Sequence, residues 1–218
     1  MKRYLTIFAA ALLLTGCADA GAGTEQHDLP PQITEDMLRQ RGVTIEQGAD
    51  GRVLYLTGSF SDEPINDEKD AEKAVAALSD YLGCENVYDE LRFEDVKTRV
   101  GLDIYTFQQY YEGLPVEGAA VTLSAKTDTH LTDNLRSSYA AGIHLDTKPQ
   151  FSKAAAKKAA KEALPGAKDL GSPVLAVDTA YGGTFRLIWT VGGDRGERVD
   201  IDANTGEVLY AFDGAIPD

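Results

Sequence analysis

Histidine, cysteine and tryptophan are scarce in this 218-residue chain, which holds three histidines, two cysteines and one tryptophan. The histidines are His27, His130 and His144; none is spaced as a metal pair, and no H-E-x-x-H occurs. That removes the usual zinc-hydrolase signature, and G-x-S-x-G is missing as well. Nucleophilic catalysis needs a base beside the nucleophile, most often histidine, so an enzyme reading finds no residues to carry it. Basic residues are also in deficit: 21 Lys and Arg face 35 Asp and Glu, a formal charge of −14. Such a surface repels phosphate backbones, which argues against a nucleic-acid partner and favours solubility. No metal set or cofactor motif is present, so neither a metal nor a cofactor is expected.

Long apolar runs are missing too, apart from one near the start. Leu5 to Leu14 follow Lys2 and Arg3, a run of signal-peptide length and well short of the roughly 20 residues of a membrane span. The run ends Leu14-Thr15-Gly16-Cys17, which resembles a bacterial lipobox. The resemblance implies removal of residues 1–16 and lipidation of Cys17, leaving 19 basic against 35 acidic residues, or −16. A lipid-anchored place on the extracytoplasmic face of the cell membrane follows as the expected localisation. Cys84 would then be the sole remaining thiol, unable to form an internal disulfide and expected as a small apolar residue at a helix end.

Residues 17–32 comprise the cysteine and a small, polar, then Pro-Pro stretch, expected as a tether. The spacing predicts a short helix after the cap Thr34, a strand over Arg52–Phe60, and a longer helix over 66–83 with Asn66 or Asp67 as cap. Strands are expected at LRFEDVKTRV, DIYTFQQYYEG, VEGAAVTLSA and LTDNLRSSYA, with antiparallel pairing across their short loops. Near residue 146 the texture changes. An alanine-rich helix capped by Ser152 and stopped by Pro165-Gly166 carries Lys153, Lys157, Lys158 and Lys161 in one basic stripe. Strands follow at PVLAVD, TFRLIWTV, ERVDIDA and EVLYAF, the last two joined by the D-A-N-T-G-E-V turn. The expected fold is α+β in two domains, 33–145 and 146–213, each an antiparallel sheet packed on a helix, with a tail at 214–218.

The stretch FQQYYEGLPVEG stands out. Strand alternation puts Tyr105, Phe107, Gln109 and Tyr111 on one side and Gln108 and Tyr110 on the other. Pro115 lacks an N–H and breaks the ladder, and Gly118 permits a bulge. The set Phe107, Gln108, Gln109, Tyr111, Gly113, Pro115, Val116 and Gly118 resembles the signature of the fungalysin/thermolysin propeptide (FTP) domain. Phe151 to Phe212 resembles the PepSY domain that follows FTP in thermolysin-like protease precursors, through its alanine-rich helix, its L-I-W-T-V strand and its D-A-N-T-G-E-V hairpin. The resemblance implies a cystatin-like propeptide architecture and a secreted zinc metalloprotease as partner, inhibited or helped to fold. Because the chain stops at Asp218 with no protease domain, it is expected as a free-standing propeptide. The signature residues are expected to hold the sheet together, and Ile216, Pro217 and Asp218 are the candidate partner contacts. The alternative is an envelope scaffold acting on wall polymers or other envelope proteins.

Overall fold

The computed structural model describes residues 29–49, 51–179 and 184–215. Helix α1 (Glu35–Gln40) starts at Thr34, whose hydroxyl accepts from the Met37 amide, and Glu35 and Asp36 complement the positive end of its dipole. β1 (Thr44–Gln47) and β2 (Val53–Thr57) then pair antiparallel. Asp67 caps α2 (Glu68–Ala76), accepting from the amides of Lys69 at 2.9 Å and Asp70 at 3.0 Å. The single helix expected through Leu82 is broken: Leu78 leaves helical geometry (φ −111°, ψ 12°), and α3 (Ser79–Leu82) resumes before Gly83 at φ 72°. The break has a local cause, since the Leu78 amide closes a tight turn onto Val75 O at 3.0 Å. Leu78 and Leu82 are both 1 % exposed, so the change of direction lets each reach the core.

α4 (Val87–Glu90) leads into β3 (Leu91–Arg99), β4 (Leu102–Tyr111), β5 (Leu114–Lys126) and β6 (Thr132–Ser137). Four-residue β1 and α4 are too short to show a period in sequence. Beyond a connecting segment come α5 (Lys153–Ala163), β7 (Val174–Asp178), β8 (Arg186–Gly192), β9 (Arg198–Asp202) and β10 (Val208–Phe212).

The fold is α+β, with an antiparallel sheet in each half. The first sheet runs β1-β2-β6-β5-β4-β3, and β7 to β10 form an antiparallel meander. The sequence treats these as separate sheets; the structure joins them. Val116 and Glu117 of β5 pair in parallel with Val177 and Asp178 of β7, giving one ten-stranded sheet. A first core packs α1 to α3 on one sheet face through Leu38, Leu56, Phe60, Leu78, Phe107 and Leu123. A second packs Ala156 and Ala160 of α5 onto Leu187, Val191, Val199 and Ile201. Alanines at those two positions let the helix backbone approach the sheet closely, and Trp189 fastens the helix entry by donating from Nε1 to Phe151 O at 2.7 Å. A small third cluster, Val116, Ala119, Ile143 and Val177, fills the junction.

Candidate functional site

The eight signature residues converge on one corner, where β4 turns into β5 and β5 leaves its partner. Phe107 is 1 % exposed and meets Phe93 edge-on, with centroids 5.9 Å apart. Glu112 (φ 47°) and Gly113 (φ 82°) form the two-residue link that sets Tyr111 opposite Leu114, a turn whose two positive φ values favour glycine at the second place. Pro115 still pairs with Tyr110, but the next β4–β5 pair is Gln108 with Ala120. One residue of β4 therefore faces the four residues 116–119 of β5. In that bulge β5 swings over to β7, with Gly118 at φ 74°.

A strand that leaves its ladder leaves carbonyls behind, and the two glutamines answer this from opposite faces. Gln108 Nε2 donates to Val116 O at 2.7 Å and Ala119 O at 3.0 Å, bridging the bulge where β4 backbone amides no longer reach. Gln109, 2 % exposed, points the other way and pairs with the backbone of Ala140 in both directions. Its Nε2 donates to Ala140 O and its Oε1 accepts from Ala140 N, each at 2.8 Å. The Tyr111 hydroxyl accepts from Leu145 N at 3.4 Å, and Ser138 Oγ donates to Gly118 O at 3.0 Å. The signature thus ties the connecting segment 138–145 to the corner.

The corner carries charge on its β7 side. Arg198 reaches from β9 to Glu117 at 2.9 Å and to Asp200 at 3.0 Å. Burial works against its charge, but Asp200 and Glu117 outweigh it and hold the guanidinium pKa above its ordinary value. Thr179 Oγ1 donates to Glu117 O at 3.0 Å, a second tie across the parallel pair. On the other side, a cleft of about 160 Å³ is walled by Glu85, Glu90, Tyr110, Tyr111, Tyr139 and His144. The Tyr139 hydroxyl donates to the Glu90 carboxylate. Burial, then that carboxylate, push the phenol's pKa upward. Behind it, burial pushes the Cys84 thiol up to about 12, so the group is a neutral thiol rather than a nucleophilic thiolate. Among the described residues, no three His, Cys, Asp or Glu side chains lie close enough together to hold a metal ion.

Cys17, Ile216, Pro217 and Asp218 lie outside the described residues. Sequence reasoning missed Ala140, Ser138, Thr179 and the Glu117–Arg198 pair, all of which serve through contacts between distant segments. Alternation did separate the two glutamines onto opposite faces, the one signal that anticipated their division of labour.

A family model described as Fungalysin/Thermolysin Propeptide Motif matches residues 89–132, the span from α4 to the start of β6. No curated protein matches the chain. Among solved structures, the chain is similar to the Bacillus megaterium YpeB C-terminal domain, at 16 % identity and a TM-score of 0.46 over 84 % of this chain and 98 % of that one. The bulged β4–β5 corner lies at the centre of residues 89–132, the span that is similar to the fungalysin/thermolysin propeptide motif.

Proposed function

We propose that this chain is a propeptide-like module that binds a secreted zinc metalloprotease, restraining it or assisting its folding. The observation that carries the reading is the match to the propeptide motif at residues 89–132, whose β5 strand joins the two halves of the sheet by pairing with β7. The module acts without catalysis of its own. The lipobox-like Leu14-Thr15-Gly16-Cys17 adds that it works from a lipid anchor on the extracytoplasmic face of the cell membrane, and the PepSY resemblance of residues 151–212 adds a second propeptide-type unit. Contact with the enzyme uses sheet surface together with the segment Ile216-Pro217-Asp218, entering the cleft of the partner.

The test is a titration of residues 28–218 into secreted metalloproteases of the same organism, following peptide hydrolysis and the yield of denatured protease refolded in its presence. Stoichiometric loss of hydrolysis or a raised refolding yield supports the reading. No effect on either quantity across the set would overturn it.

A further inference from the structure

The basic face of α5 departs from the acidic charge pattern of the chain. Residues 148–168 hold six lysines and one glutamate, a formal +5 on a chain of −14, which leaves −19 for everything else. Four of those lysines, Lys153, Lys157, Lys158 and Lys161, stand on α5 and are exposed, whereas Ala156 and Ala160 of the same helix are buried. Lys158 approaches Glu162 at 3.6 Å; Lys153, Lys157 and Lys161 make no ion pair with any described residue.

This arrangement works against helix stability. The first turn of α5 has no acidic residue, whereas α1 and α2 each have two. Lys153 instead places positive charge at the positive end of the dipole, which favours anions. Lys153, Lys157 and Lys161 recur at i, i+4 and i+8, where like charges repel. Glutamate at Lys153 would serve the helix start better, whereas Lys161 in the last turn complements the dipole.

We infer that the lysine face of α5 is a docking surface for an acidic polypeptide surface on a partner protein. Charge complementarity selects an anion. Screening selects the kind: at physiological salt a charge is felt over about 8 Å, so an acidic patch of similar size sees the helix alone. A planar anionic membrane would instead face the helix together with the rest of the chain, which carries −19, and be repelled by it. The inference stands apart from the propeptide reading and does not require that the acidic partner be a protease.

The test uses residues 17–218 expressed without lipidation, with fluorescent poly-L-glutamate as probe and phosphatidylglycerol vesicles as the competing surface. The expected result is probe binding that weakens as salt rises and falls at least about tenfold in K153E/K157E/K161E, since three exposed charge contacts sum to roughly that ratio. K69E/K97E/K126E changes the net charge equally from other surfaces and is expected to leave binding near the wild-type value. Lys→Gln at the same α5 positions is expected to give an intermediate loss, with all variants retaining the far-ultraviolet circular dichroism of the wild type. Equal loss in the two triple reversals would overturn the inference by reducing it to net charge. Failure of the wild type to bind the probe, or binding to vesicles in preference to it, would overturn it as well.

Discussion

Gln109 and Ala140 are joined by two hydrogen bonds of 2.8 Å, with the side-chain amide of one reading both backbone groups of the other. An amide in this pose substitutes for one residue of a neighbouring strand. It therefore satisfies a half-buried backbone stretch that has left the sheet after β6. Gln109→Ala leaves the Ala140 N–H and C=O unpaired in a site 2 % exposed at residue 109, at an expected cost of about 2–4 kcal/mol. Gln109→Glu keeps an acceptor for the N–H but sets a carboxylate against the carbonyl, and is expected to be at least as damaging. Urea denaturation of both variants measures this; a loss below about 1 kcal/mol would show that the pair contributes little.

The glycines of the turns separate two kinds of constraint. A Cβ at Gly206 (φ 79°) would meet the Phe151 ring at 2.6 Å, so Gly206→Ala adds a clash to left-handed strain, about 3 kcal/mol together. At Gly113 (φ 82°) nothing lies within 4 Å, so Gly113→Ala carries strain alone, about 1 kcal/mol. Thermal melts should rank the two in that order.

Val100 presents the converse case. It is a β-branched residue at φ 50°, fully exposed at the β3–β4 turn, and so carries strain with no packing in return. Val100→Asn is expected to raise stability by about 0.5–1 kcal/mol, read as a higher denaturation midpoint with an unchanged slope.

Asp202 sets an acid limit on the second sheet. Burial raises its pKa, but the amides of Thr205 at 2.8 Å and Asn204 at 2.9 Å outweigh that and leave it below the ordinary carboxylate value. A depressed folded pKa means stabilisation that is complete above the unfolded value of about 3.9 and is lost as pH falls through the folded one. Asp202→Asn keeps an acceptor without a charge, so its stability should fall less steeply than wild type between about pH 4 and pH 2. Parallel pH profiles for the two proteins would contradict this.

Cys84 is 8 % exposed with its thiol pushed up to about 12. Native protein at pH 8 should therefore alkylate far more slowly than urea-unfolded protein, with a rate that follows opening of the first core. Cys17 gives a separate check on the anchor. Protein carrying Cys17→Ala should leave the membrane fraction; retention there would count against lipidation.

The parts of the fold legible in sequence were those fixed by near neighbours. The caps at Thr34, Asp67 and Ser152 and the stop at Gly83 each depend on residues within one turn. Strand alternation likewise grouped Tyr105, Phe107 and Gln109 on one side of β4, the side that the structure buries. The break at Leu78 was hidden, because helical spacing continues through it and only the position of the sheet makes the turn useful. The parallel pairing of Val116 with Val177 was hidden for a different reason: it joins segments about sixty residues apart, and neither hydrophobic pattern encodes the register. The same holds for the candidate site. The signature residues were visible one by one, but their partners, Ala140, Leu145 and Ser138, have no local mark.

The central claim is that this chain recognises a metalloprotease, and direct complex formation tests it most simply. Equimolar mixtures of residues 28–218 with each secreted metalloprotease of the organism, in active-site-blocked form, can be run by size-exclusion chromatography with light scattering. The account predicts one enzyme that co-elutes with the module at the mass of a 1:1 complex. Separate elution of the module from every protease in the set would contradict it.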